Sequence, residues 1–229
     1  MKKLFNLIAI LLISLTTFAQ FEGKIVFDSK LMGEGAEQMQ AFMPKSYVYH
    51  VKGNDLLFKM NGGMAAMMLG EILIDGDKQT SYMMKHAEKK AIKITGDEVA
   101  DDNDSGPKPN IVKEDEMLTI AGYKCQKYRV EVGSGEDKMT QFIWVTSDIK
   151  IKPPKKGAPK TMKSVFVDGI DGFPLKIMVS MNALGANLTM TMTAIEVDEN
   201  KLDKAKFKIP DGYTVEDMDP AAMQQMLGF

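Results

Sequence analysis

The sequence predicts a mainly β chain built on one large antiparallel sheet, closed or half closed. Apolar and polar residues alternate with a period of two over most of its length, as half-buried strands require. Gly, Asn and Asp interrupt those runs at spacings of about 10–20 residues, which is turn chemistry. Stretches of helical period are few and short.

The first nineteen residues read as an export leader. Lys2 and Lys3 give a positive start, Leu4 to Leu15 an apolar run broken by Asn6 and Ser14, and Thr17-Phe18-Ala19 a small-residue cleavage site. The run is shorter than the about 20 residues that span a bilayer. The expectation is cleavage near Ala19, leaving residues 20–229 as a single domain with no integral membrane segment.

Each strand then follows from its own alternation. Ile25, Phe27 and Leu31 oppose Lys24, Asp28 and Lys30. Tyr47, Tyr49 and Val51 form one face, Gly53-Asn54 turns, and Leu56, Phe58 and Met60 form the next. Ile72 and Ile74 lead into Asp75-Gly76-Asp77, and Tyr82/Met84 and Ile92/Ile94 flank the charged stretch Lys85 to Lys90. Tyr128, Val130 and Val132 alternate with Lys127, Arg129 and Glu131, and Ile143 and Val145 oppose Phe142 and Trp144. The longest pattern is a hairpin. Phe173, Leu175, Ile177, Val179, Met181 and Ala183 share one face, Leu184-Gly185-Ala186-Asn187 turns, and Leu188, Met190, Met192 and Ala194 return opposite Thr189, Thr191 and Thr193. Helical spacing appears at Ala36, Met39, Gln40 and Met43, between Gly35 and Pro44, and in the Met-rich run 62–70. A third helix is expected at the end, with Asp219 as N-cap, Pro220 at the first position, and Met223, Met226 and Leu227 on one face.

Two segments read as charged loops. Residues 97–116 hold eight acids and two prolines, and residues 150–163 six lysines and three prolines. Asp101, Asn103, Ser105 and Gly106 match the start of an EF-hand loop, but Val112 stands where the bidentate Glu belongs, so a solvated loop is expected.

Composition excludes several functions. The chain has 229 residues, a formal net charge of −2 and 45% apolar residues, which rules out a disordered chain and any global basic field for nucleic acid. One cysteine permits neither an internal disulfide nor a multi-thiolate zinc site. No nucleophile elbow, dinucleotide fingerprint, phosphate loop or H-E-x-x-H pair occurs. His50 and His86 have no suggestive neighbours, and Cys125, between Lys124 and Lys127, reads as a small strand residue. No enzyme activity and no cofactor are expected.

Methionine, at 20 residues, is the abnormal figure. Flexible thioethers pack irregular cores, line adaptable apolar surfaces and bind Cu(I). Candidate copper ligands are Met64/Met67/Met68, Met83/Met84 with His86, and Met190/Met192.

Phe21-Glu22-Gly23-Lys24-Ile25, Ile120-Ala121-Gly122-Tyr123-Lys124-Cys125, Ile143-Trp144-Val145, Gly172-Phe173-Pro174-Leu175-Lys176 and Phe207-Lys208-Ile209-Pro210-Asp211-Gly212-Tyr213 follow in an order that resembles a secreted bacterial family with a domain of unknown function. Through that family the chain resembles the LolA/LolB-like lipoprotein-carrier superfamily. The resemblance implies a curved antiparallel sheet forming an incomplete barrel, with short helices covering its concave face, and a periplasmic or secreted protein of a Gram-negative bacterium. LolB-type members carry an anchor cysteine that is missing here, so the fold transfers better than the carrier activity. Together, the residues and the resemblance lead to non-catalytic binding of a hydrophobic or lipid-like ligand in a Met-rich cavity. The expected lining is Met39, Phe42, Met43, Met64, Met67, Met68, Met190, Met192, Met223 and Met226. The alternatives are Cu(I) handling through Met and His, or an envelope structural protein with a filled core and a protein partner.

Overall fold

The computed structural model describes residues 20–94, 108–133, 139–152, 166–167, 169–183 and 186–218. The expected leader, the third helix with Met223 and Met226, and most of both charged loops lie outside the described residues.

Period-two alternation produces the strands. The first half runs β1 (Gly23–Gly33), α1 (Ala36–Gln40), β2 (Ser46–Lys52), β3 (Asp55–Asn61), α2 (Gly63–Leu69), β4 (Glu71–Asp75), β5 (Thr80–Lys85) and β6 (Lys90–Ile94). The second runs β7 (Asn110–Ile120), β8 (Tyr123–Val132), β9 (Met139–Thr146), β10 (Phe173–Ala183), β11 (Ala186–Asp198), a 3-10 turn at Lys204–Phe207 and β12 (Thr214–Asp217). All twelve strands join one curved sheet in the order β12-β6-β5-β4-β3-β2-β1-β11-β10-β9-β8-β7. Two meanders therefore meet at the β1–β11 pair, and the sheet stays open, with β12 and β7 as its edges.

Antiparallel pairing holds throughout except at β12, which lies parallel to β6. The motif Phe207–Tyr213, which as the last stretch of the pattern would be expected to close the sheet, does not do so. That stretch crosses the face of the sheet, and the edge strand is the following Thr214–Asp217. A strand of four exposed residues carries no alternation to read.

The main core joins both meanders. Phe27 packs edge-on against Tyr49 and Phe173 at ring separations of 5.5 and 6.4 Å, and Tyr49 lies 4.8 Å from Phe58. Ile25, Ile74, Met83 and Leu175 complete its deepest layer. The opposite face of β3–β6 carries a second cluster, Leu57, Leu73, Met84 and Ala91, sealed by Phe207 of the 3-10 turn. Burial on both faces explains why Leu56-Leu57-Phe58 and Ile72-Leu73-Ile74 are continuous apolar runs.

Two bulges break the expected faces. On the β9 side of β10 the partners step from Pro174↔Val145 to Lys176↔Trp144, so Leu175 is an extra residue. Phe173 and Leu175 belong to the main core, whereas Ile177 packs with Val130, Ile143 and Val145 in a third cluster that Val179 joins. The single face expected for residues 173–183 is thus corrected: an inserted residue reverses the alternation beyond it. In β11, Ile195 is the extra residue opposite β1 and stands exposed.

The acidic segment is corrected in part as well. Residues 110–116 belong to β7, an edge strand, because the charges on β8 compensate its acids. Lys127 pairs with Glu114 and Glu116 at 3.5 and 2.9 Å, and Arg129 with Glu114 at 3.3 Å.

Candidate functional site

The two helices form one apolar cap. Gly35, at φ 76°, turns the chain from β1 into α1, whose Ala36 is buried against Leu31 and Leu188. Met39, Met43 and Met190 pack half-buried on that cluster. The chain then runs beneath the start of α2. Ala41 and Phe42 carbonyls accept from Met64 N and Ala65 N at 3.2 and 3.1 Å, which satisfies N–H groups that a helix start leaves unpaired. Gly63 makes this approach possible. It sits at φ 73°, and a Cβ there would stand 2.2 Å from the Met43 carbonyl oxygen.

Helical geometry sorts the side chains of α2. Ala66 and Leu69 pack on the main core. Met64, Met67 and Met68, at i, i+3 and i+4, share the outward side and are 51%, 85% and 38% exposed. Phe42 beside them is 54% exposed. Two lysines border the patch. The Lys45 side chain lies alongside Gly62, and Lys85 Nζ donates to the Met68 carbonyl.

The expected lining residues therefore separate. Met39, Met43 and Met190 form a half-buried floor, Met192 is core at 9% exposure, and Phe42, Met64, Met67 and Met68 face solvent. Of the proposed copper ligands, Met83 and Met84 point to opposite faces of β5 and belong to different cores. His86 lies with Tyr213 (Nδ1 to the hydroxyl, 2.7 Å) and Glu71 (3.2 Å).

Other reactive groups are wholly or partly buried. Cys125 is fully buried, and burial pushes its thiol up to about 11. His50 has a buried Nδ1 with no hydrogen-bond partner, and burial, with Lys206, Lys24 and Lys59 nearby, lowers it to about 4. Among the described residues no group of three or more His, Cys, Asp or Glu is arranged to hold a metal ion. A cavity of about 370 Å³ lies between Asp55, Leu73 and Tyr82 on the sheet and Lys204 and Phe207 on the 3-10 turn.

One cluster carried no sequence signal beyond its residue types. Trp144, the single tryptophan, donates from Nε1 to Glu116 at 3.0 Å. Lys127 stands over the Trp144 and Phe142 rings at 5.2 and 4.8 Å, and Lys176 over Trp144 at 4.4 Å. The Lys127 bond, followed by the indole bond, holds the Glu116 carboxyl below the usual carboxylate range. The pairing of four neighbouring strands, β7 to β10, brings these residues together, so no spacing in the sequence marks them.

Fold and cap define a single-sheet, mainly β domain with an exposed methionine patch. The chain belongs to the DUF4412 family: residues 21–213 match its profile, described as a domain of unknown function. Among solved structures it is similar to PNGF-II, in a structure from a C2 space group, with 15% identity and a TM-score of 0.46. That alignment covers 90% of this chain and 33% of PNGF-II, so the chain spans about a third of that protein. No curated protein matches the chain.

Proposed function

We propose that this is an exported, periplasmic, non-catalytic protein that engages the acyl region of lipid through its two-helix cap. The carrying observation is the cap itself: four large apolar side chains, Phe42, Met64, Met67 and Met68, exposed on one ordered surface. Such thioethers adapt to irregular apolar partners. The leader-like residues 1–19 and the resemblance to LolA/LolB-type carriers support the same reading. Lys45 and Lys85 at the rim suit anionic headgroups. In this reading the contact lies on the cap, while packed aromatic rings build the main core.

The magnitude is modest. Burying Met67 and about half of each neighbour contributes roughly 4–6 kcal/mol in total. That is in the range of a single short acyl anchor, which binds membranes reversibly. Co-sedimentation with vesicles of mixed phosphatidylcholine and phosphatidylglycerol tests it. The wild type is expected to partition to vesicles, and Met67→Ser with Met64→Ser to lose most of that binding. Equal sedimentation of the two proteins contradicts the proposal.

A second reading rests on the three outward thioethers of α2, whose spacing suits a soft monovalent copper ion. Cu(I) competition with a chromogenic chelator tests it, and an affinity unchanged by replacing Met64, Met67 and Met68 rejects it.

A further inference from the structure

The described methionines differ sharply in exposure, with Met39, Met43 and Met190 half-buried between two extremes. Met60, Met83, Met84 and Met192 are enclosed in the cores, while Met64, Met67 and Met68 stand open to solvent on one turn of α2. Met32, Met117 and Met139 are also exposed, each on a different strand. Among the described residues, only on α2 do several exposed thioethers share one face, and there they make up most of the apolar cap surface.

Resting on the lipid-contact reading, we propose that Met64, Met67 and Met68 form an oxidation-controlled release switch. A hydroperoxide delivers one oxygen to each thioether: the O–O bond breaks, the S–O bond forms, sulfur gives up two electrons, and water or an alcohol leaves. The sulfoxide so formed is polar and chiral, and sulfoxide reductases reverse it. Three sulfoxides on one turn turn the face that meets acyl chains into a hydrogen-bonding one. The enclosed methionines are shielded from the oxidant, so the sheet outlasts the change at the cap. Phe42 and the rim lysines are untouched, which leaves weak residual attraction to anionic lipid.

The test uses the full chain with hydrogen peroxide as the oxidant. Tandem mass spectrometry of the peptides spanning residues 60–78 and 79–85 reads the order of oxygen uptake, and vesicles of mixed phosphatidylcholine and phosphatidylglycerol read binding. Met67 is expected to gain oxygen first, Met64 and Met68 next, and Met60 later. The lipid partition coefficient is expected to fall about tenfold or more. Treatment with sulfoxide reductases of both stereospecificities should restore it. The Met64→Leu/Met67→Leu/Met68→Leu variant keeps an apolar face without thioethers and should bind before and after peroxide alike. Binding that survives with all three sulfoxides in place overturns the switch alone. So does a leucine variant that peroxide still releases. Unoxidised protein that ignores vesicles overturns the lipid-contact reading and the switch together. Uptake of oxygen by Met83 or Met84 as early as by Met67 overturns the selectivity on which the switch depends.

Discussion

Replacing Phe173 with Ala tests whether the interior is filled. Phe173 is fully buried where β10 enters the sheet. Its ring lies 5.8 Å from Phe166, 6.1 Å from Tyr49 and 6.4 Å from Phe27, so it joins the two meanders. Truncation removes the transfer energy of the ring and leaves a cavity that three aromatic neighbours cannot collapse to fill. The cost is about 3–5 kcal/mol. For a domain of this size that is a fall in Tm of roughly 6–20 °C. The assay is urea unfolding followed by the fluorescence of Trp144, the single tryptophan, which is buried on the neighbouring strand β9. Phe42→Ala is the control: its ring is half exposed on the cap, and its loss should cost about 1 kcal/mol or less. If Phe173→Ala costs no more than Phe42→Ala, the interior is loose or hollow and the placement of the ligand contact on the cap fails.

Three further outcomes are expected. Below pH 6.5 the unfolded chain protonates at His50 while the folded chain does not until about pH 4, so this group removes stability as pH falls from 6.5 to 4; His50→Gln should show a shallower loss of urea midpoint over that window, and an unchanged slope would contradict the burial argument. Cys125, with its thiol pushed up to about 11, should resist iodoacetamide at pH 8 in the folded protein and react once urea unfolds it, as mass spectrometry would show; rapid labelling of the folded state would count against it. Gly63→Ala should cost about 2–5 kcal/mol in urea unfolding because its Cβ meets the Met43 carbonyl on a backbone that is also left-handed, whereas Gly35→Ala, with open space around it, should cost only about 1–2 kcal/mol for its left-handed backbone; a reversed ranking would mean that the two helices do not approach as described.

The strands were legible because burial on one face writes itself as alternation. Tyr47, Tyr49 and Val51 are core, and the 173–198 hairpin forms as expected, though Ala186 and Asn187, expected in its turn, pair with Ala183 and Asn182 as the start of β11. What escaped was set by pairs of strands. Leu175 becomes an extra residue only relative to β9, and Pro174, which cannot donate to a ladder, was the one local hint. Glu114 and Glu116 look like loop acids until Lys127 and Arg129 lie beside them. At the cap, the helical spacing of residues 62–70 was readable, but not which side faces out. Ala66 and Leu69 win the inward positions, because small and branched side chains fit the surface left by the core better than a row of long thioethers. Methionine enrichment therefore marked two different things, filler at Met83, Met84 and Met192 and exposed surface at Met64 and Met67.

The proposed lipid contact lies on the cap and not in the sheet interior. Depth-dependent quenching by brominated phospholipid measures this directly. In a Trp144→Phe background, Met67→Trp places the only indole on the outward side of α2, while the wild-type Trp144 reports from the sheet. Strong quenching at position 67 and almost none at position 144 is expected in the same vesicles. Quenching at 144 with none at 67 would place lipid within the sheet and contradict the proposed contact.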